Sequence, residues 1–240
     1  MLLPAISHYF LELPQGQDRA AQFLNKTAML QNGTYAEILN RTVQYNLQRA
    51  IPFSQSPNVT NLIGLRPGQP VGNWRDSNEG LGYGYYPFDV NTALVPASLR
   101  ATEKLIEAGI VDFANLNATY VANVASVWEA HAAGLFDVTV SGEEAEARLE
   151  NFVKAANLST ALLNSTRSEQ PGEGTGNVSF YALSLKEDGS PVEVLNSDMG
   201  FNLVYGENVS RDFLEHVVDA LQPYPRGELS LSCCSLVHRL

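Results

Sequence analysis

Gly72 to Asn91 reads GNWRDSNEGLGYGYYPFDVN. These twenty residues hold one Trp, one Arg, two Asp, one Glu, four Gly and, after the Trp, four further aromatics. A core helix shows an apolar stripe at i, i+3, i+4, and a half-buried strand alternates strictly. This stretch does neither, so it reads as a loop that gathers rings, charges and turn residues. Trp74, Tyr83, Tyr85, Tyr86 and Phe88 offer flat faces that can stack on the C–H face of a sugar ring. Arg75, Asp76 and Asp89 offer charge-assisted hydrogen bonds to hydroxyl groups. Gly80, Gly82 and Gly84 let the backbone turn sharply and approach a ligand. A plainer alternative is a plug: the aromatics close the end of a helical barrel and Arg75 pairs with a nearby acid.

Outward from this loop the chain reads as helices. Upstream, Asp18 to Leu30 and Tyr35 to Ala50 form a helical hairpin spanning 1–51, with Ile38, Leu39, Val43, Leu47 and Ile51 at helix spacing. The site loop takes 52–91. Helical hairpins follow over 92–166, beginning with Thr92 to Ala108, which Gly109 caps and whose Pro96 lies in the first turn or kinks the helix. Tyr120 to Ala133 carries Val121, Val124, Trp128 and His131 on one apolar face, and Ser141 with Glu144 forms a capping box for the next helix. Residues 177–198 alternate around an Asp-Gly turn and predict one small β-hairpin. A last helix is expected over 209–222.

The net charge of −11, from 15 Lys and Arg against 26 Asp and Glu, argues against a nucleic-acid partner. No apolar run reaches the roughly 18 residues of a membrane span. Nine N-glycosylation sequons occur, at Asn25, Asn32, Asn40, Asn58, Asn117, Asn157, Asn164, Asn177 and Asn208. With 19 Asn and 29 Ser and Thr in 240 residues, chance gives about two. The excess points to secretion or the secretory pathway. MLLPAISHYFLELPQ lacks a basic n-region and a cleavage site, so a signal peptide is expected to precede Met1. The two cysteines, Cys233 and Cys234, are adjacent and have neither disulfide nor metal-ligand spacing. No metal or other cofactor is implied, and oligomeric state is left open.

NWRDS, followed by YPFDVN running into TALVPASLRA, resembles the catalytic region of glycogen-debranching-type glucosidases. There a Trp-x-Asp element precedes a Lys/Tyr-Pro-x-Glu/Asp-Val/Ile-Asn helix start. VLNSDMGFNLVYG and the later QPYPRGELSL are similar to that family's downstream elements in the same order, so the resemblance covers roughly Gly64 to Leu231. The wider group is the six-hairpin glycosidases. The resemblance implies a mainly α fold, an incomplete (α/α)6 toroid of helical hairpins with one small β-hairpin, acting on α-glucosides by inverting acid/base hydrolysis without a cofactor. It makes Asp76 the proton donor, Trp74 the stacking ring and Arg75 the holder of a sugar hydroxyl or of the acid. It places Tyr86, Asp89, Asn91, Asn196 and Asp198 on the substrate side. YVANVASVWEAHAAGLF is similar to the glucoamylase segment whose Trp-Glu pair supplies the acid, which makes Glu129 a rival; that family has a second Glu where this chain has Ala130.

An inverting pair needs two carboxyls about 6.5–9.5 Å apart. In these families the base comes from later helices, and the tail 230–240, ending CCSLVHRL, departs from the pattern. The expectation is therefore a single partial catalytic domain lacking its base. The alternative is a non-catalytic carbohydrate-binding or helical interaction protein.

Overall fold

The computed structural model describes residues 1–69, 72–112, 117–161, 177–194, 196–207 and 209–220. The sequons at Asn164 and Asn208, the Cys233–Cys234 pair, the tail 230–240 and the last two residues of the expected helix 209–222 lie outside them. The fold is mainly helical, with short antiparallel strands, and divides into two compact units. No helix of the described residues is long and apolar enough to cross a membrane.

One unit comprises Met1–Ile63, Asp89–Ala132 and Val204–Glu207. It holds α1 (Leu2–Ser7), α2 (Gly16–Leu24), α3 (Tyr35–Gln55), α4 (Val95–Glu107) and α5 (Ala118–His131). The stripe Leu39, Val43, Leu47 and Ala50 of α3 is buried, as are Val121, Val124, Ala125 and Trp128 of α5. Helix period alone puts these residues inside. Trp128 is the anchor: its ring lies 4.2 Å from that of Phe53, and its Nε1–H donates to the Ala50 carbonyl at 3.0 Å.

Three expectations change in this unit. Helix α3 does not stop near Ala50 but runs through Pro52 to Gln55. Proline removes one helical hydrogen bond, yet the extra turn buries Phe53 completely against Trp128, which offsets that loss. Helix α2 stops at Leu24 rather than Leu30, because residues 25–34 form a closed loop with a Thr27–Thr34 bridge. His131 stands exposed at the end of α5, not on its apolar face.

Thr34 opens α3 with a complete capping box: its hydroxyl accepts the Glu37 N–H at 3.3 Å, and its own N–H donates to the Glu37 carboxylate at 2.7 Å. Because Thr34 also completes the Asn32 sequon, the comparison uses protein from a host that does not glycosylate, where Thr34→Ala is expected to cost about 1 kcal/mol, read from the urea midpoint. An unchanged midpoint would contradict that role.

The second unit comprises the described residues among 64–88, 133–203 and from 208 onward. It holds β1 (Tyr86–Pro87), β2 (Asp137–Val140), α6 (Gly142–Ala155), β3 (Val178–Tyr181), β4 (Ser184–Leu185), β5 (Pro191–Val192) and α8 (Arg211–Ala220); α7 (Met199–Tyr205) begins in it. The expected single hairpin resolves into two sheets. Strands β4 and β5 pair around a turn in which Lys186 N–H donates to the Ser190 carbonyl at 2.9 Å, and β1 adds to β4. Strand β3 instead pairs with β2, Asp137 opposite Tyr181 and Val140 opposite Val178. The segment DVTV alternates exposed and buried, the strand period, inside a region expected to be helical hairpins. Phe88, Phe136, Tyr181 and Phe213 form a ring cluster at the centre of this unit, with centroid separations of 5.1 to 5.5 Å.

Candidate functional site

In the second unit, the aromatic, glycine-rich loop that begins at Gly72 is a chain of tight turns. Asn73 starts it: its side-chain oxygen accepts the Arg75 N–H at 3.2 Å and its carbonyl accepts the Asp76 N–H at 3.2 Å. Ser77 continues it, its hydroxyl accepting the Gly80 N–H at 2.8 Å. Leu81, fully buried, pins the middle of the loop. Gly84 closes it against β4, where any Cβ would overlap the Ser184 side chain, so glycine is required by close approach. The Ser184 hydroxyl itself donates to the Leu81 carbonyl at 2.8 Å.

These turns aim three consecutive side chains. Arg75 reaches Asp198 as a fork: Nε lies 3.0 Å from Oδ2 and Nη2 lies 2.7 Å from Oδ1. Its Nη1 also donates to the Gly80 carbonyl at 3.3 Å. The Asp198 side chain is 0% exposed, while that of Arg75 keeps 18% of its surface open. Behind Asp198, Asn196 accepts its backbone N–H at 3.0 Å and donates to the carbonyls of Tyr181 and Val194, both at 3.2 Å. The carboxylate is therefore fixed from β3 outward. Trp74 lies over the guanidinium, 4.7 Å from ring centroid to Cζ, and against Phe201 at 5.9 Å. It remains 52% exposed. Asp76 follows with an exposed carboxylate and a left-handed backbone, φ 48°, a region that aspartate enters more readily than most residues other than glycine.

Of the expected site residues, Trp74, Arg75, Asp76, Asn196 and Asp198 come together in this unit. Asn196 and Asp198 are buried supports of Arg75 rather than open groups facing a ligand. Tyr86 belongs to strand β1 and is buried edge-on against Tyr85 at 4.7 Å. Burial, with Tyr85 and Glu187 adding to it, pushes the Tyr86 hydroxyl above the ordinary tyrosine range, so it stays protonated. Phe201 and the Gly80 carbonyl complete the arrangement, and residue type alone does not mark either of them. Phe201 lies only three residues beyond Asp198, inside VLNSDMGFNLVYG.

Asp89, Asn91 and Glu129 belong to the other unit. Asp89 and Asn91 are fully buried. Asn91 accepts the Ile63 N–H at 2.7 Å and donates to the Ile63 carbonyl at 3.1 Å, so its amide latches the backbone. Glu129 has both oxygens occupied by Arg100, at 2.9 Å from Nε and 2.7 Å from Nη2. Arg100 also pairs with Glu103 at 3.0 Å, and these acids hold its guanidinium above its ordinary range, the Glu129 hydrogen bond contributing most. Glu129 is thus tied into an ion-pair cluster beside the core Trp128. Among the sequons, Asn25, Asn32, Asn117, Asn157 and Asn177 are exposed, while Asn40 and Asn58 are half-buried.

No protein-family model, curated protein or solved structure matches this chain.

Proposed function

We propose that Trp74, Arg75 and Asp76 form the sugar subsite of a secreted, inverting α-glucoside hydrolase built on helical hairpins of the six-hairpin toroid type. The observation that carries this reading is an exposed Trp ring resting on an arginine that a buried carboxylate immobilises, with an exposed acid at the next residue. A sugar stacked on Trp74 meets a guanidinium whose remaining N–H groups suit hydroxyl oxygens. Because Asp198 already holds Arg75, little side-chain entropy is lost on binding.

Asp76 then donates its proton to the glycosidic oxygen as the bond from that oxygen to the anomeric carbon breaks. Water attacks the opposite face and gives up a proton to a base, which the proposal assigns to no residue of this chain. The plug alternative is met in one respect, since Arg75 does pair with an acid. It leaves the exposure of Trp74 unexplained.

The test is turnover of malto- and isomalto-oligosaccharides by the protein as its cells make it. Asp76→Asn is expected to lower turnover by roughly 10²–10⁴-fold with sugar affinity kept. Trp74→Ala is expected to weaken binding about tenfold, the loss of one stacking contact. Retained turnover in Asp76→Asn would exclude Asp76 as the acid. Binding without turnover in the unaltered protein would establish a carbohydrate-binding protein instead.

A further inference from the structure

We propose that Asn25 and Asn32 both carry N-linked glycans, and that the pair shields the apolar tip of the loop between α2 and α3. This is independent of the sugar subsite. The loop has a fixed stem: Tyr35 N–H donates to the Lys26 carbonyl at 3.0 Å, Ala28 N–H donates to the Gly33 carbonyl at 2.9 Å, and Thr27 bridges Thr34. Phe23 and Tyr35 stack across its base, 4.5 Å apart and 16° from parallel. Such a stem presents its tip outward, and the tip is Met29 and Leu30, 89% and 97% exposed. No other large apolar side chain among the described residues is so open. Two adjacent apolar side chains held in water are an association hazard unless something covers them.

The cover is written in the same loop. The bridged residues Thr27 and Thr34 are the hydroxyl members of the two sequons Asn25-Lys26-Thr27 and Asn32-Gly33-Thr34. The bridge therefore sets the acceptors on opposite strands, Asn25 at the base and Asn32 toward the tip. Both asparagines are exposed, so each amide has room for a glycan after folding. Two other sequons are less suited. Asn40 is half-buried in the second turn of α3, and the Asn58 side-chain amide donates to the Ser56 carbonyl and hydroxyl at 3.0 and 2.9 Å.

In the covalent step, asparagine Nδ2 bonds to the anomeric carbon of an oligosaccharide carried on a lipid diphosphate. The bond from that carbon to the diphosphate oxygen breaks, its electron pair leaves with the diphosphate, and the amide gives up one proton to it.

The full chain, secreted by a glycosylating eukaryotic host, is treated with a glycan-cleaving amidase in ¹⁸O-water and peptide-mapped. Labelled aspartate at both 25 and 32 is the expected result; unlabelled asparagine at either position overturns the pairing. Cleaving the glycans from the folded protein is then expected to raise light scattering and apolar-dye binding, as is the secreted Asn25→Gln/Asn32→Gln variant. Adding Met29→Ser/Leu30→Ser is expected to return both readings to those of the glycosylated protein. A deglycosylated chain that scatters light and binds dye as the glycosylated one does would overturn the shielding role.

Discussion

Trp128→Ala is expected to lower stability by about 4 kcal/mol, the middle of the range for truncating a fully buried large aromatic side chain. Three losses coincide there. The ring leaves a cavity that its neighbours close only in part, Phe53 loses its 4.2 Å partner, and the Ala50 carbonyl loses the indole N–H. Trp128→Phe keeps most of the packing and removes the hydrogen bond, so its cost should be about 1–2 kcal/mol. For a chain of this length each kcal/mol shifts the melting temperature by about 2–4 °C. Thermal unfolding should therefore separate the two variants clearly. Equal melting temperatures for Trp128→Ala and the parent would contradict the assignment of Trp128 as the core anchor of its unit.

Arg75→Ala should cost about 3 kcal/mol, because it strands a fully buried carboxylate. The partial exposure of Arg75 keeps the figure at the lower end for broken buried pairs. Arg75→Lys keeps the charge but loses the fork on Asp198 and the third bond to Gly80, and falls between alanine and the parent. Combining Arg75→Met with Asp198→Leu should recover most of the stability while sugar binding stays lost. Chemical denaturation reads the first effect and ligand titration the second. If the double replacement also restored sugar binding, the pair would be a structural tie and nothing more.

Much of this architecture is legible in residue spacing. Leu39, Val43 and Leu47 of α3 and Val121, Val124 and Trp128 of α5 are buried as helix period predicts, Ile38 and Ile51 stay half-buried, and Pro96 lies in the first turn of α4. The capping box at Ser141 forms by half: its hydroxyl accepts the Glu144 N–H at 3.2 Å, while the Glu144 carboxylate turns to Arg148. Long-range pairings are the illegible part. Nothing local tells DVTV that its partner is Val178–Tyr181, and a short apolar–polar alternation beside a helix is easily absorbed into it.

The candidate site shows the same division. Trp74, Arg75 and Asp198 each stand out in the sequence, yet their relation does not. Arg75 and Asp198 are 123 positions apart, and only the fold reveals that the acid holds the arginine rather than the ligand. Asn91 falls where the glucosidase resemblance puts a substrate-side polar group. Its amide instead substitutes for a backbone partner of Ile63, a use that side-chain chemistry alone cannot distinguish from ligand binding.

The central claim is that sugar stacks on Trp74, and tryptophan quenching tests it most directly. The chain has two tryptophans. Trp128 is fully buried and Trp74 is half exposed, so acrylamide reaches Trp74 selectively. Titration with malto- and isomalto-oligosaccharides is predicted to protect that emission saturably, and Arg75→Ala is predicted to abolish the protection. Quenching that stays unchanged at the highest concentration of every oligosaccharide would contradict the account.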